Sequence, residues 1–113
     1  MASSKVERLQ HIILKNVSHI IQFEMKNKVG LAAITDVKVT NDLSYATIYV
    51  HFYGEGNHSL KGMEALEKAK GFIRSKLSKE LSIRKVPELI FKIDNSLEQG
   101  NRIEEIIKKI NEK

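Results

Sequence analysis

Residues 60–81 read LKGMEALEKAKGFIRSKLSKEL, and this stretch decides the fold. Leu60, Met63, Leu66, Ala69, Ile73, Leu77 and Leu81 recur at helical spacing and predict an amphipathic helix reaching almost to Pro87. At about 100° per residue, a straight helix would set Lys70 only about 40° from Leu66, inside the apolar stripe, and turn Phe72 to solvent. Gly71, roughly 1 kcal/mol worse than alanine inside a helix, sits at the point of conflict. The spacing therefore predicts a kink or register break at Ala69-Lys70-Gly71 that frees Lys70 and re-aims Phe72. A straight helix that tolerates its glycine is the competing reading.

The same stretch and its C-terminal flank carry the net charge. Residues 61–85 hold eight basic side chains (Lys61, Lys68, Lys70, Arg74, Lys76, Lys79, Arg84 and Lys85) against three acidic ones (Glu64, Glu67 and Glu80), which accounts for the whole formal +5 of the 113-residue chain. A field that originates in one segment points to a polyanionic partner, and a solvated lysine-rich face is the alternative. A break at Gly71 would also leave backbone N–H groups at the start of the second half without intrahelical partners, beside Lys68, Lys70 and Arg74. That combination makes a cradle for anions.

Outward from this centre, the remaining elements read as one α+β unit. Ser4 and Glu7 fit a capping box, and Val6, Leu9, Ile13, Val17, Ile20 and Ile21 predict a helix over about residues 5–25, which Lys26-Asn27-Lys28-Val29-Gly30 ends with a glycine exit. A strand over about 33–40 has Val37 and Val39 on one face and Ile34 on the other parity, the mark of a bulge. After the turn Asn41-Asp42-Leu43-Ser44, a second strand over 45–53 alternates cleanly. Ala46, Ile48, Val50 and Phe52 line one face; Tyr45, Thr47, Tyr49, His51 and Tyr53 line the other. Residues 54–59 form a loop whose Ser59 can cap the long helix, 89–93 form a third strand, and Asn95-Ser96 opens a final helix with Leu97, Ile103, Ile106, Ile107 and Ile110 as its stripe. The order is α-β-β-α(kink)α-β-α. Strands two and three, joined through a long helix, should run parallel in a three-stranded sheet covered by helices on one face.

Composition narrows the chemistry. With 42% apolar and 29% charged residues, one proline and no tryptophan, the chain describes one globular domain over 1–113. The absence of cysteine removes disulfides, thiolate metal sites and thiol nucleophiles. The start MASSKVER has no apolar run of a signal peptide, and no stretch approaches the length of a membrane span, so a cytoplasmic location without membrane contact is expected. His11, His19, His51 and His58 are scattered with no i, i+4 pair for zinc, and Gly54-x-Gly56 lacks the rest of a phosphate-loop fingerprint. No nucleophile elbow is present, so no enzymatic activity, metal or other cofactor is expected, and the candidate site is a surface. The tyrosines of strand two can stack on bases if helices leave that face open; packing under a helix or at an edge is the alternative.

Three runs carry a resemblance. Lys38-Val39-Thr40-Asn41-Asp42-Leu43-Ser44-Tyr45-Ala46, then Ala65-Leu66-x-x-Ala69-Lys70-Gly71-Phe72-Ile73-Arg74, then Leu81-x-x-Arg84-x-x-Pro87-Glu88-Leu89-x-Phe91-x-x-Asp94-x-Ser96, in this order and spacing, resemble bacterial ribosome-binding factor A over about residues 6–110. The resemblance implies a KH-like fold of the second type, in which the usual Gly-x-x-Gly loop is replaced by an Ala-x-Gly helix-kink-helix, here Ala69-Lys70-Gly71. It implies a ribosome assembly factor without enzymatic activity that binds the free 30S subunit and its 16S rRNA. Late maturation and 5′-end processing of that rRNA, above all in the cold, and release when a maturation GTPase acts are implied with it. The implied RNA-facing residues are Ala69 and Gly71 of the kink, the adjacent Lys68, Lys70 and Arg74, Arg84 in the segment before Pro87, and Arg8 on the first helix. Lys76, Lys79 and Lys85 of the same basic segment complete the candidate set for a monomeric RNA-binding domain. The Asp-Pro that many members carry after the first helix is absent around Lys26 to Lys28, so no contact is assigned there. A protein-interaction module that uses an apolar patch or sheet edge, its lysines serving only solubility, is the reading from a different class.

Overall fold

Residues with an unbroken apolar stripe build the layer on which the rest packs. In a computed structural model, which describes residues 4–53, 58–81 and 86–94, helix α1 spans Ser4–Phe23 and buries Val6, Leu9, Ile13, Val17, Ile20 and Ile21, the six positions its periodicity selects. The glycine exit takes a different form from the one expected. After the Glu24 and Met25 amides donate to the Ile20 carbonyl, the chain makes a separate turn of helix, α2 (Lys26–Val29), and only then does Gly30 adopt φ +77°. Met25 and Val29 are both buried, which is why the extra turn forms: it carries two more side chains into the core before the chain leaves.

Strands β1 (Ala32–Val39), β2 (Tyr45–Phe52) and β3 (Glu88–Ile93) form one sheet in the order β1-β2-β3. β1 pairs antiparallel with β2, and β2 pairs parallel with β3, as the helical crossover requires. The β1–β2 register shifts between Ile34 and Asp36, leaving Thr35 as the extra residue of a bulge. Because of that one residue, Ala32 and Ile34 before the bulge and Val37 and Val39 after it all pack against the same core, which resolves the broken parity of the sequence. The connecting turn places Leu43 at φ 64° and is tied by the Asp42 carboxylate, which accepts hydrogen bonds from the Thr40 hydroxyl at 2.7 Å and the Ser44 amide at 3.1 Å. These bonds hold the Asp42 carboxyl below its ordinary value of 3.8, the Thr40 bond contributing most.

The long helical stretch divides into α3 (His58–Lys68) and α4 (Lys70–Leu81), with Ala69 between them. α3 begins one residue ahead of the expected cap, Ser59. Leu66, Ile73 and Leu77 are completely buried, whereas Leu60 is exposed, departing from the predicted stripe. At about 100° per residue Leu60 lies about 120° around the helix from Leu66, too far to reach the core. Gly62 lets α3 approach the sheet: a Cβ there would collide with Cε1 of the Phe52 ring. Apolar side chains of α1, α3 and α4 meet Ala46, Ile48, Val50, Phe52, Leu89 and Phe91 in one core, so the described helices lie on a single face of the sheet. The edge strand β1 is blunted on its free side, where the Val39 amide donates to Gln10 Oε1 of α1 at 2.9 Å and the Val37 amide to Asp36 Oδ1 at 2.8 Å. The expected final helix and the loop at Gly54 and Gly56 lie outside the described residues.

Candidate nucleic-acid interface

The break that the periodicity of 60–81 demands is present and is one residue long. The Ala69 amide still donates to the Ala65 carbonyl at 3.0 Å and the Ile73 amide to the Ala69 carbonyl at 2.9 Å, so the hydrogen-bond ladder resumes at once. Lys70 leaves the apolar stripe: its Nζ pairs with Glu67 at 2.8 Å, one turn back along the chain. Gly71 is exposed with open space where a Cβ would stand, so another molecule can approach its backbone. Phe72 does not turn inward as expected. It remains 47% exposed because α4 presents Ile73 and Leu77 to the core, and their neighbour Phe72 is left on the flank, 5.6 Å from Lys76 Nζ.

Phe72 and Ala69 line a groove of about 670 Å³ between α1–α2 and α3–α4, whose rim carries Lys28, Lys61 and Lys68 as cations and Glu24 and Glu64 as anions. Lys68 is exposed and has no ion pair among the described residues, and the same holds for Lys61, Lys28 and Lys79. Lys28 and Lys61 extend the candidate set. Lys61 was legible as part of the basic segment, whereas Lys28 reaches this rim only through the turn α2, which no local pattern announces.

Two further residues of the basic segment, Arg74 and Lys76, have internal partners. Arg74 donates from one terminal nitrogen to the Val86 carbonyl at 2.9 Å and holds Glu88 at 3.6 Å with the other, while its Nε is buried without a hydrogen-bond partner. It thus ties α4 to the start of β3. Lys76 pairs with Glu24 at 2.8 Å and ties α4 to the end of α1. Arg8 is exposed near the start of α1, about 15 residues and hence about 23 Å of helix from the end that flanks the groove, and does not join the cluster. Arg84 and Lys85 lie outside the described residues.

On the opposite face of the sheet, Tyr45 and Tyr53 are about half exposed and Tyr49 lies between them. Lys38 Nζ stands 5.6 Å from the Tyr49 ring, and His51 packs edge-on against Tyr53 at 4.6 Å. Among the described residues there is no group of three metal-ligating side chains, and no helix is long and apolar enough to cross a membrane. What this geometry can do chemically is attract and position a polyanion by unpaired ammonium groups beside the first-turn amides of α4.

Comparison with known proteins agrees with this architecture. The family model for ribosome-binding factor A matches residues 5–107. A Macrococcus caseolyticus protein named ribosome-binding factor A is 43% identical over 110 residues, covering 96% of each chain. The crystal structure of ribosome-binding factor A from Thermus thermophilus superposes with a TM-score of 0.66 at 22% identity, over 78% of this chain and 94% of that one. Coordinates of the Thermus thermophilus factor fitted into the cryo-EM map of a complex between the 30S subunit and that factor superpose at a TM-score of 0.62 and 21% identity, over 74% of this chain and 89% of that one. Sequence match over nearly the full length and the shared fold together show that the chain belongs to the ribosome-binding factor A family.

Proposed function

We propose that this protein is a ribosome assembly factor that binds the free 30S subunit and its 16S rRNA through the lysines around the α3–α4 break. The observation that carries the reading is the group of cations with no ion pair among the described residues, Lys28, Lys61 and Lys68 on one groove rim, with Lys68 three residues from the exposed Gly71, in a family whose Thermus member has been fitted into the map of a 30S complex. Ammonium groups of this kind position an RNA backbone without reading its sequence, so recognition rests on RNA shape. On this reading the protein acts as a monomeric binding domain in the cytoplasm and turns over no substrate. It assists late maturation and 5′-end processing of the rRNA, matters most in the cold, and departs when a maturation GTPase acts on the particle.

The test is co-sedimentation with free small subunits, large subunits and joined ribosomes at low and moderate salt. Selective, salt-sensitive migration with the free small subunit is the expected result, lost in the double variant Lys68→Glu with Lys79→Glu. Equal association with every particle, or association unchanged by that double reversal, would overturn the reading and favour a protein partner.

A further inference from the structure

All three tyrosines of the chain, Tyr45, Tyr49 and Tyr53, stand four residues apart along or just past β2, with Thr47 and His51 between them, and therefore share the face that α1, α3 and α4 leave uncovered. Strand register sets Lys92 of β3 on one side of the middle ring and Asp36 of β1 on the other, with Lys38 opposite Thr47. Lys92 of β3 is the cross-strand partner of Tyr49, and Lys38 of β1 holds its ammonium 5.6 Å from the same ring. Of the carboxylates on this face, Glu88 pairs with Arg74, while Asp36 accepts from the Val37 amide and Asp94 from the Thr35 hydroxyl at 2.6 Å and both keep their charge. Lys92 is exposed with no ion pair among the described residues. The face thus presents spaced aromatic rings with two ammonium groups, Lys38 and Lys92, beside the middle one.

We infer that this sheet face is a second RNA-contacting surface, on which unpaired nucleotides stack against Tyr45, Tyr49 and Tyr53 while Lys38 and Lys92 meet their phosphates. The inference deepens the reading above, taking RNA as the partner, but uses residues on the opposite side of the domain from the α3–α4 break. Rings offer a face to any base, so the contact suits single strands and tolerates sequence; a duplex, whose bases are already stacked, is excluded. A 30S-bound molecule would then hold a structured RNA surface on one side and a single-stranded segment on the other.

Three tyrosines give three separable sets of ring signals, so proton NMR reads this face directly. Addition of a ten-nucleotide oligouridylate should shift the ring resonances of Tyr45, Tyr49 and Tyr53, and a ten-base-pair RNA duplex should not. Tyr45→Ala with Tyr53→Ala should weaken oligonucleotide binding about fivefold or more; Lys38→Glu with Lys92→Glu, which leaves every ring in place, should weaken it similarly, with an unchanged thermal melt as the control for folding. Ring signals that stay put at saturating oligonucleotide, or shift equally with the duplex, would overturn the inference. The two readings fail separately. If the Lys68→Glu, Lys79→Glu protein loses both 30S and oligonucleotide binding while the Lys38 and Lys92 variant keeps both, the sheet face is refuted and the assembly-factor reading stands. Ring shifts that persist in a protein showing no preference for 30S would refute the assembly-factor reading instead.

Discussion

Single residues in this protein divide between those that hold the fold and those left free to bind, and the division does not follow residue type. Arg74 looks like a phosphate ligand in the sequence, yet its guanidinium bridges Val86 and Glu88. Arg74→Ala should destabilise the domain by about 1–3 kcal/mol, since a hydrogen bond from a charged group to a buried strand entry is lost, whereas Lys68→Ala at an exposed position should stay within about 0.5 kcal/mol. Paired urea melts of the two variants check this, and equal midpoints would contradict it. Gly62 is the converse case, a residue with no side chain that sets a distance. Gly62→Ala drives a methyl into the Phe52 ring and should cost about 1–3 kcal/mol; Gly62→Ala with Phe52→Leu should cost less than the two single changes added together. Asp42 supplies the pH dependence. Its carboxyl titrates below 3.8 in the folded turn, so its support is complete above that value and is lost as pH falls through the lower folded one. Hydrogen exchange at the Ser44 amide, corrected for its intrinsic pH dependence, should therefore show protection falling in strong acid before the core opens.

At the scale of the element, the α3–α4 break is the part of the site most legible in the sequence. A lysine at a buried phase beside a glycine is a local contradiction, and a one-residue interruption at Ala69 removes it. The glycine does not act through a left-handed backbone, for Gly30 alone has positive φ among the described glycines. Gly71→Ala should therefore fold, and be more stable by about 0.5–1 kcal/mol, with the added methyl pointing into open space. The same methyl stands where an RNA backbone would approach, so 30S association should weaken as the melting temperature rises. A variant that binds as well as wild type would show that Gly71 serves helix geometry alone. The sheet shows the same legibility. Alternation along β2 named its buried face, and the parity slip at Ile34 named the bulge, because a strand's period of two leaves no other way to bury both Ile34 and Val37. Phe72 was misread for a related reason: the break releases Lys70 by a small re-aiming, which is not enough to carry a residue about 100° from Ile73 into the core.

At the scale of the whole molecule, packing brings cations from separate elements together on one side of the domain. Lys28, Lys61 and Lys68 line one groove rim and Lys79 stands exposed further along α4, although they come from three elements. If each neutralises one phosphate, log K for 30S association should fall with log salt at about 0.7–0.9 per contact, and Lys68→Glu with Lys79→Glu should flatten the slope by about 1.4–1.8; sedimentation across a salt series measures both, and a slope unchanged by the reversal would remove these lysines from the interface. The sequence by itself determined the order of the described elements apart from α2, the faces of α1 and β2, the break at Ala69 and the segment in which net charge originates. Each of these is a matter of periodicity or composition within one element, and the physics that sets them acts between near neighbours in the chain. Only the tertiary structure decided that Arg74 and Lys76 are engaged, that Lys28 joins Lys61 and Lys68, that Gly62 brings α3 against Phe52, and that the described helices leave the tyrosine face uncovered. Those outcomes depend on which flank of one element lies against another distant in sequence, as Lys76 against Glu24 shows. Burial demands only that apolar faces meet; which charged side chains then find partners at the seams depends on the packing of the assembled core.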